Sequence, residues 1–166
     1  MKQPELIIQE KRRRDLVLNV IVSQVPYIKF LGVTFDRHGD DLTATMRFHE
    51  DLIGNSALPA LHGGATAAFL EVTAIVGLAW NSLWDDIETK KLNIETIKIG
   101  EIALPKTIDF TVDYLRSGLP RDAYARARVN RSGRRYASVH VEGWQDSRDR
   151  LFVQASGHFL MPKRDD

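Results

Sequence analysis

Glu71 is the residue whose chemistry asks for an explanation first. From Ala65 to Trp80 the chain carries only three polar side chains, Thr66, Glu71 and Thr73. A helix over this stretch has no polar face to offer water and must be covered nearly all round. A carboxylate in such surroundings is costly unless it is paired, hydrogen-bonded or protonated. One reading is structural, with Glu71 paired to an Arg from a strand. The other is chemical, with a catalytic carboxylate at the edge of a cavity, where carboxylates in unusual environments concentrate.

Just before this helix stands His62-Gly63-Gly64. Two glycines let a substrate approach the backbone closely. The first-turn N–H groups have no acceptor within the helix, and the helix dipole favours negative charge there. Such a start is a candidate oxyanion hole for a carbonyl under attack. The plainer alternative is that the glycines only permit a tight entry into the helix. A Gly-Gly pair opening a buried helix that carries an isolated Glu two turns later favours the chemical reading.

The elements that must position these residues follow from periodicity. Residues 5 to 24 predict an amphipathic helix, with Leu6, Ile7, Leu16, Val17, Val20 and Ile21 as its apolar side, Pro4 at its start and Pro26 past its end. Lys11 to Arg14 read as its polar face. Val33 to Arg37 and Leu42 to Phe48 predict a hairpin across His38-Gly39-Asp40-Asp41. Residues 49 to 61 are irregular and lead into a helix from about Gly64 to Ser82. Thr107 to Arg116 alternate, with Ile108, Phe110, Val112 and Tyr114 on one face. Two further alternating runs, around Ala123 to Val129 and Ala137 to Val141, and a last one from Leu151 to Met161, are separated by short polar turns. They predict a meander of antiparallel strands. Residues 83 to 106 read as a solvated excursion in which Ile94, Ile97 and Ile99 could line an extra strand or short helix.

At 166 residues the chain suits one domain. A net charge of +1 leaves no overall field toward nucleic acid or membrane. The chain has no cysteine, which removes disulfides, Cys-ligated zinc and a Cys nucleophile together. Met1 to Arg14 lack the apolar core of a secretory signal, and a cytoplasmic location is the expectation. Ala65 to Trp80 is shorter than the roughly 20 residues of a membrane span and holds Glu71, so it reads as a buried helix. His140 and His158 read as surface or core histidines, and no metal site is expected from five scattered His.

The segment Asn55-Ser-Ala-Leu-Pro-Ala-Leu-His62-Gly-Gly-Ala-Thr-Ala-Ala-Phe-Leu-Glu71 resembles the hotdog-fold thioesterases of the phenylacetate-pathway (PaaI-like) type. Thr107-Ile-Asp-Phe-Thr-Val-Asp-Tyr-Leu-Arg116 resembles that family's strand ending in Leu-Arg-Pro, with Ser117 in place of the Pro. Ala125 to Met161 resembles its closing hairpins, with Arg131-Ser-Gly-Arg-Arg135 at the turn. The resemblance covers about two-thirds of the chain.

It implies an α+β hotdog fold over residues 1–166, an antiparallel sheet wrapped around the central helix. Residues 1–26 would be an N-terminal helical extension and 83–106 a variable insertion. It implies acyl-CoA thioester hydrolysis without a further cofactor, in homodimers with sites at the interface that often pair again into tetramers. Gly63 would donate the oxyanion N–H, His62 would support that geometry, and Asn55 would help hold the carbonyl or water. Glu71 stands where the family places its catalytic carboxylate, most often an Asp, and Thr107 where a Ser or Thr positions substrate or water. Glu71 acting as general base and Glu71 acting as nucleophile both remain open. Gly64, Arg116, Arg134 and Arg135 are candidates for substrate and CoA phosphate contacts, since guanidinium groups bind phosphate bidentately; solvated strand ends are the alternative. Trp80, Trp84 and Phe69 read as core or as pocket lining. The competing functions are an acyl-thioester hydratase or dehydratase using His62 with Glu71, and a non-catalytic acyl-CoA-binding module.

Overall fold

The computed structural model describes residues 4–93 and 96–163. Its centre is helix α3, Gly63–Glu88, which is long and apolar enough by length and composition to cross a membrane but serves here as the core helix. Phe69, Leu70, Ala74, Val76 and Leu78 on it are fully buried. A six-stranded antiparallel sheet wraps it in the order β1-β2-β6-β7-β8-β5. The strands are β1 (Val33–His38), β2 (Asp41–Met46), β5 (Lys106–Tyr114), β6 (Ala123–Ser132), β7 (Tyr136–Trp144) and β8 (Val153–Leu160). A small ladder of β3 (Ile53–Asn55) and β4 (Ala60–Leu61) leads into the helix. This is the hotdog arrangement that the resemblance implies.

The sheet can hold the helix because every second residue faces it. Ala137, Val139 and Val141 on β7, and Val153, Ala155 and Phe159 on β8, are buried. Close approach needs small residues. A Cβ on Gly77 of α3 would stand 2.9 Å from the Ala127 Cβ of β6, and one on Gly143 would stand 2.6 Å from Val153. The alternate residues face out, where His140 meets the Ser156 hydroxyl at 3.1 Å and His158 meets Asp109 at 3.0 Å. Both histidines therefore belong to the outer surface.

At the N-terminus, α1 (Pro4–Ser23) is followed by a short helix α2 (Pro26–Phe30), which periodicity did not separate from it. Pro26 opens α2 at a first-turn position, where its missing N–H costs nothing. Arg14 on α1 donates two hydrogen bonds to the Glu88 carboxylate, at 2.8 and 2.7 Å, and lies over the Trp84 ring. That hydrogen-bonded carboxylate raises the Arg14 pKa above its already high ordinary value. Arg14 thus leaves the expected polar face and ties α1 to the end of α3.

That tie helps explain why α3 runs six residues past the expected Ser82. Trp84, Asp85 and Asp86, read as a solvated excursion, are its last turns. Beyond it, residues 89–93 and 96–105 carry neither helix nor strand, so the expected extra element is absent among the described residues. Ile97 packs on the core and Ile99 is exposed; Ile94 lies outside the described residues. The returning stretch is pinned by Gln24, whose amide donates to Ile102 O at 2.7 Å and accepts from Gly100 and Ile102 N–H at 2.8 and 3.1 Å.

Candidate active site

The start of α3 is built by the backbone around it. Leu61 N–H bonds Gly118 O at 2.9 Å, and His62 N–H bonds Leu52 O at 2.7 Å. Gly54 of β3 lies against His62, since a Cβ there would be 2.7 Å from the His62 Cα. His62 itself is the N-cap, with φ −61° and ψ 129°, and its Nδ1 accepts from Gly64 N–H at 2.9 Å. An Nδ1 that accepts must be unprotonated, so the neutral ring carries its proton on Nε2. The cap consumes the Gly64 N–H. The Gly63 N–H has no acceptor among the described residues and stands at the positive end of the helix dipole.

Glu71 lies two turns further on and is half-buried. Its Oε1 accepts from the Thr107 hydroxyl at 2.7 Å. The partner is a hydroxyl on the second residue of β5, not an Arg, and the second carboxylate oxygen has no hydrogen-bond partner among the described residues. β5 also reaches the helix start at its far end, where Tyr114 donates its phenol O–H to Gly63 O at 2.7 Å. One strand therefore bonds both Glu71 and the start of the helix. The two stand about 12 Å apart along the helix, eight residues at 1.5 Å each. At that backbone spacing the Gly63 N–H and the Glu71 carboxylate of one chain are set well apart for a single carbonyl.

The other expected residues are placed differently. Asn55 spends its carboxamide oxygen in its own loop, accepting from Ala57 and Leu58 N–H at 3.0 and 3.2 Å. Arg116 donates to Leu151 O and so fastens the β7–β8 connection. Arg134 and Arg135 rim a cleft of about 1550 Å³ lined on its other sides by Ser82 and Asp85, by Ile97 and Ile102, and by Met161 and Lys163. Trp80 donates to Asp40 O at 2.9 Å and packs near Trp84, so both serve the packing of the β1–β2 hairpin and α1. Phe69 is fully buried core.

Strict alternation groups Tyr114 with Ile108, Phe110 and Val112 and gives no sign of its bond to the helix start. A bulge between Thr107 and Asp109 breaks that alternation, leaving Ile108 52 % exposed. Only Phe110 and Val112 pack on the core. The available signal was a phenol at the end of a strand whose other end carries Thr107.

A held carboxylate and a glycine N–H at a helix start are parts that acyl transfer to water can use, and within a hotdog sheet they fit a thioester hydrolase. The chain belongs to the thioesterase superfamily, whose sequence profile matches residues 58–151, more than half of its length. It is 27 % identical over 154 residues to the medium/long-chain acyl-CoA thioesterase YigI of Salmonella typhimurium, covering 90 % of this chain and 94 % of that one. A Shewanella oneidensis structure related to the thioesterase superfamily aligns at TM-score 0.65 and 27 % identity, over 96 % of this chain and 99 % of that one. A Ralstonia eutropha phenylacetic acid degradation-related protein aligns at TM-score 0.58 and 22 % identity, over 82 % and 91 %.

Proposed function

We propose that this protein hydrolyses acyl-CoA thioesters to the free acid and CoA, at sites each formed by two copies of the chain. The observation that carries the reading is the Thr107–Glu71 hydrogen bond of 2.7 Å, which fixes a carboxylate on a largely apolar helix. With one oxygen engaged by the hydroxyl, the other faces the reaction. As general base it takes a proton from water while the resulting hydroxide adds to the thioester carbonyl. The oxyanion is received by a Gly63 N–H. The tetrahedral intermediate collapses with loss of the CoA thiolate, which regains the proton. As nucleophile, the same oxygen would attack the carbonyl directly and expel the CoA thiolate, giving an anhydride that water opens to the free acid and the Glu71 carboxylate while the thiolate takes up a proton released from that water.

The 12 Å gap is closed by a partner. β5 is an edge strand, and the exposed Ile108 and Tyr114 lie on it with Leu115 just beyond its end. A long apolar edge is a template for pairing. Antiparallel pairing of two β5 strands sets the Thr107 end of one beside the Tyr114 end of the other. Glu71 of one chain then approaches Gly63 of its partner.

The cleft rimmed by Arg134 and Arg135 suits the phosphates of CoA. Ser82 and Asp85, which line it, share one stripe of α3 with Glu71 at 11 and 14 residues' distance, roughly 16 to 21 Å along the helix. That separation is of the order a pantetheine arm spans. Medium and long acyl chains are the substrates to try first, given the named activity of the Salmonella relative.

Glu71→Gln tests the assignment. It keeps the volume and a hydrogen-bonding oxygen but removes the base, so thiol release should fall on the order of 100-fold or more with an unchanged melting temperature. Near-normal turnover in that variant would end the reading. Hydration of an enoyl-CoA without thiol release would replace it with the hydratase.

A further inference from the structure

We propose that Tyr114 is a positioning residue that leaves Gly63 N–H as the donor free for an oxyanion; this rests on the thioesterase reading above. The Gly63–Gly64 peptide is held at both ends. Its carbonyl oxygen accepts the Tyr114 phenol at 2.7 Å, and its N–H, on Gly64, is bound to His62 Nδ1 at 2.9 Å. A helix carbonyl has a second lone pair to spare for such a contact. The three groups form one chain, phenol O–H to peptide to imidazole, and each link polarises the next. Withdrawing electron density from the carbonyl makes Gly64 N–H a better donor to His62. The firmer that cap, the more the ring is kept in the tautomer with its proton on Nε2.

The preceding peptide, between His62 and Gly63, is oriented by its carbonyl, which accepts from Thr66 N–H at 3.0 Å, and its N–H has no acceptor among the described residues. The clamp restrains the peptide that follows it, which has a flexible glycine on both sides. The Tyr114 ring adds a second restraint. Its Cζ and Oη lie 3.4 Å from where a Gly63 Cβ would stand, so the phenol packs on the glycine as well as bonding it. The hydroxyl is committed to Gly63 O and is not itself the donor to substrate. It acts through the peptide it holds.

Tyr114 is 54 % exposed, so Tyr114→Phe should fold and keep the ring contact while removing only the hydroxyl. A pre-set oxyanion donor acts on the transition state and not on ground-state binding. The expected result is a fall in kcat of about tenfold, with KM and melting temperature unchanged, a fraction of what loss of a whole donor costs. In nitrogen NMR of labelled histidine, His62 should pass from the single Nε2-protonated tautomer to a mixture of the two. Wild-type kcat in the variant overturns the proposal, as does an unchanged tautomer. A parallel loss of kcat, KM and stability also overturns it, because that pattern is a structural role. If wild type releases no thiol, the thioesterase reading falls and the proposal with it. A failure of the clamp alone shows instead as an active wild type, an inactive Glu71→Gln and an unaltered Tyr114→Phe.

Discussion

Gly63 is where backbone chemistry can be tested most cleanly. It occupies the first position of α3, where proline is favoured and its fixed φ is already helical. His62 before it, at φ −61° and ψ 129°, has the extended conformation that a following proline requires. A Cβ at this site meets the Tyr114 ring first, at 3.4 Å. Gly63→Pro should therefore fold with a melting temperature at or above wild type. What it deletes is one N–H. Loss of a single oxyanion donor lowers kcat by about 100- to 1,000-fold, and steady-state thiol release on the purified variant would register it. An active Gly63→Pro enzyme would move the oxyanion hole elsewhere. At this scale the sequence was informative about geometry: Glu71 and Thr107, 36 residues apart, do meet, and the Gly63 N–H has no acceptor among the described residues. It was uninformative where a side chain serves its own loop. Nothing local to Asn55 or Arg116 distinguishes a polar residue aimed at a ligand from one that closes a turn.

Among the elements, strands with alternating residues were legible and the segment between α3 and β5 was not. Alternation reports which face is buried, and β7 and β8 obey it without interruption. Past Ser82 the apolar pattern fades while the helix continues, because its last turns are held by Arg14 from a distant part of the chain. Long-range ties of this kind leave no periodic trace. The same is true of Gln24, which replaces a missing secondary structure with three side-chain hydrogen bonds to residues 100 and 102. Gln24→Ala removes all three. Hydrogen bonds contribute about 0.5 to 1.5 kcal/mol each, so the stretch should loosen by a few kcal/mol locally, and the amides of Gly100 and Ile102 should exchange faster by hydrogen–deuterium measurement. Since Glu101 and Ile102 line the cleft assigned to the CoA phosphates, KM for an acyl-CoA should rise. KM for the matching acyl-pantetheine, which lacks the nucleotide, should stay where it is. Equal changes for both substrates would separate the cleft from the nucleotide.

At the scale of the whole molecule, the proposed reading gives one chain two half-sites about 12 Å apart along the helix, each bonded by an opposite end of β5. That division makes a sharp prediction for mixed dimers. Gly63→Pro damages the donor half and Glu71→Gln the carboxylate half, and each alone leaves a dimer with both sites broken. When the two variants are co-refolded or exchanged at equal concentration, half of the dimers are hybrids. In a hybrid with composite sites, one site collects both lesions and the other collects neither. The mixture should then recover about a quarter of wild-type thiol release, starting from two nearly inactive parents. Were each site built within one chain, every site in the hybrid would still carry a lesion and mixing would recover nothing. Recovery should also depend on subunit exchange, so it should rise with incubation time and vanish if the hybrids are prevented by crosslinking each parent beforehand. The exposed edge of β5, its bulge at Ile108 and the phenol of Tyr114 would then share one explanation: the strand that orders each half-site is also the seam along which the halves are joined.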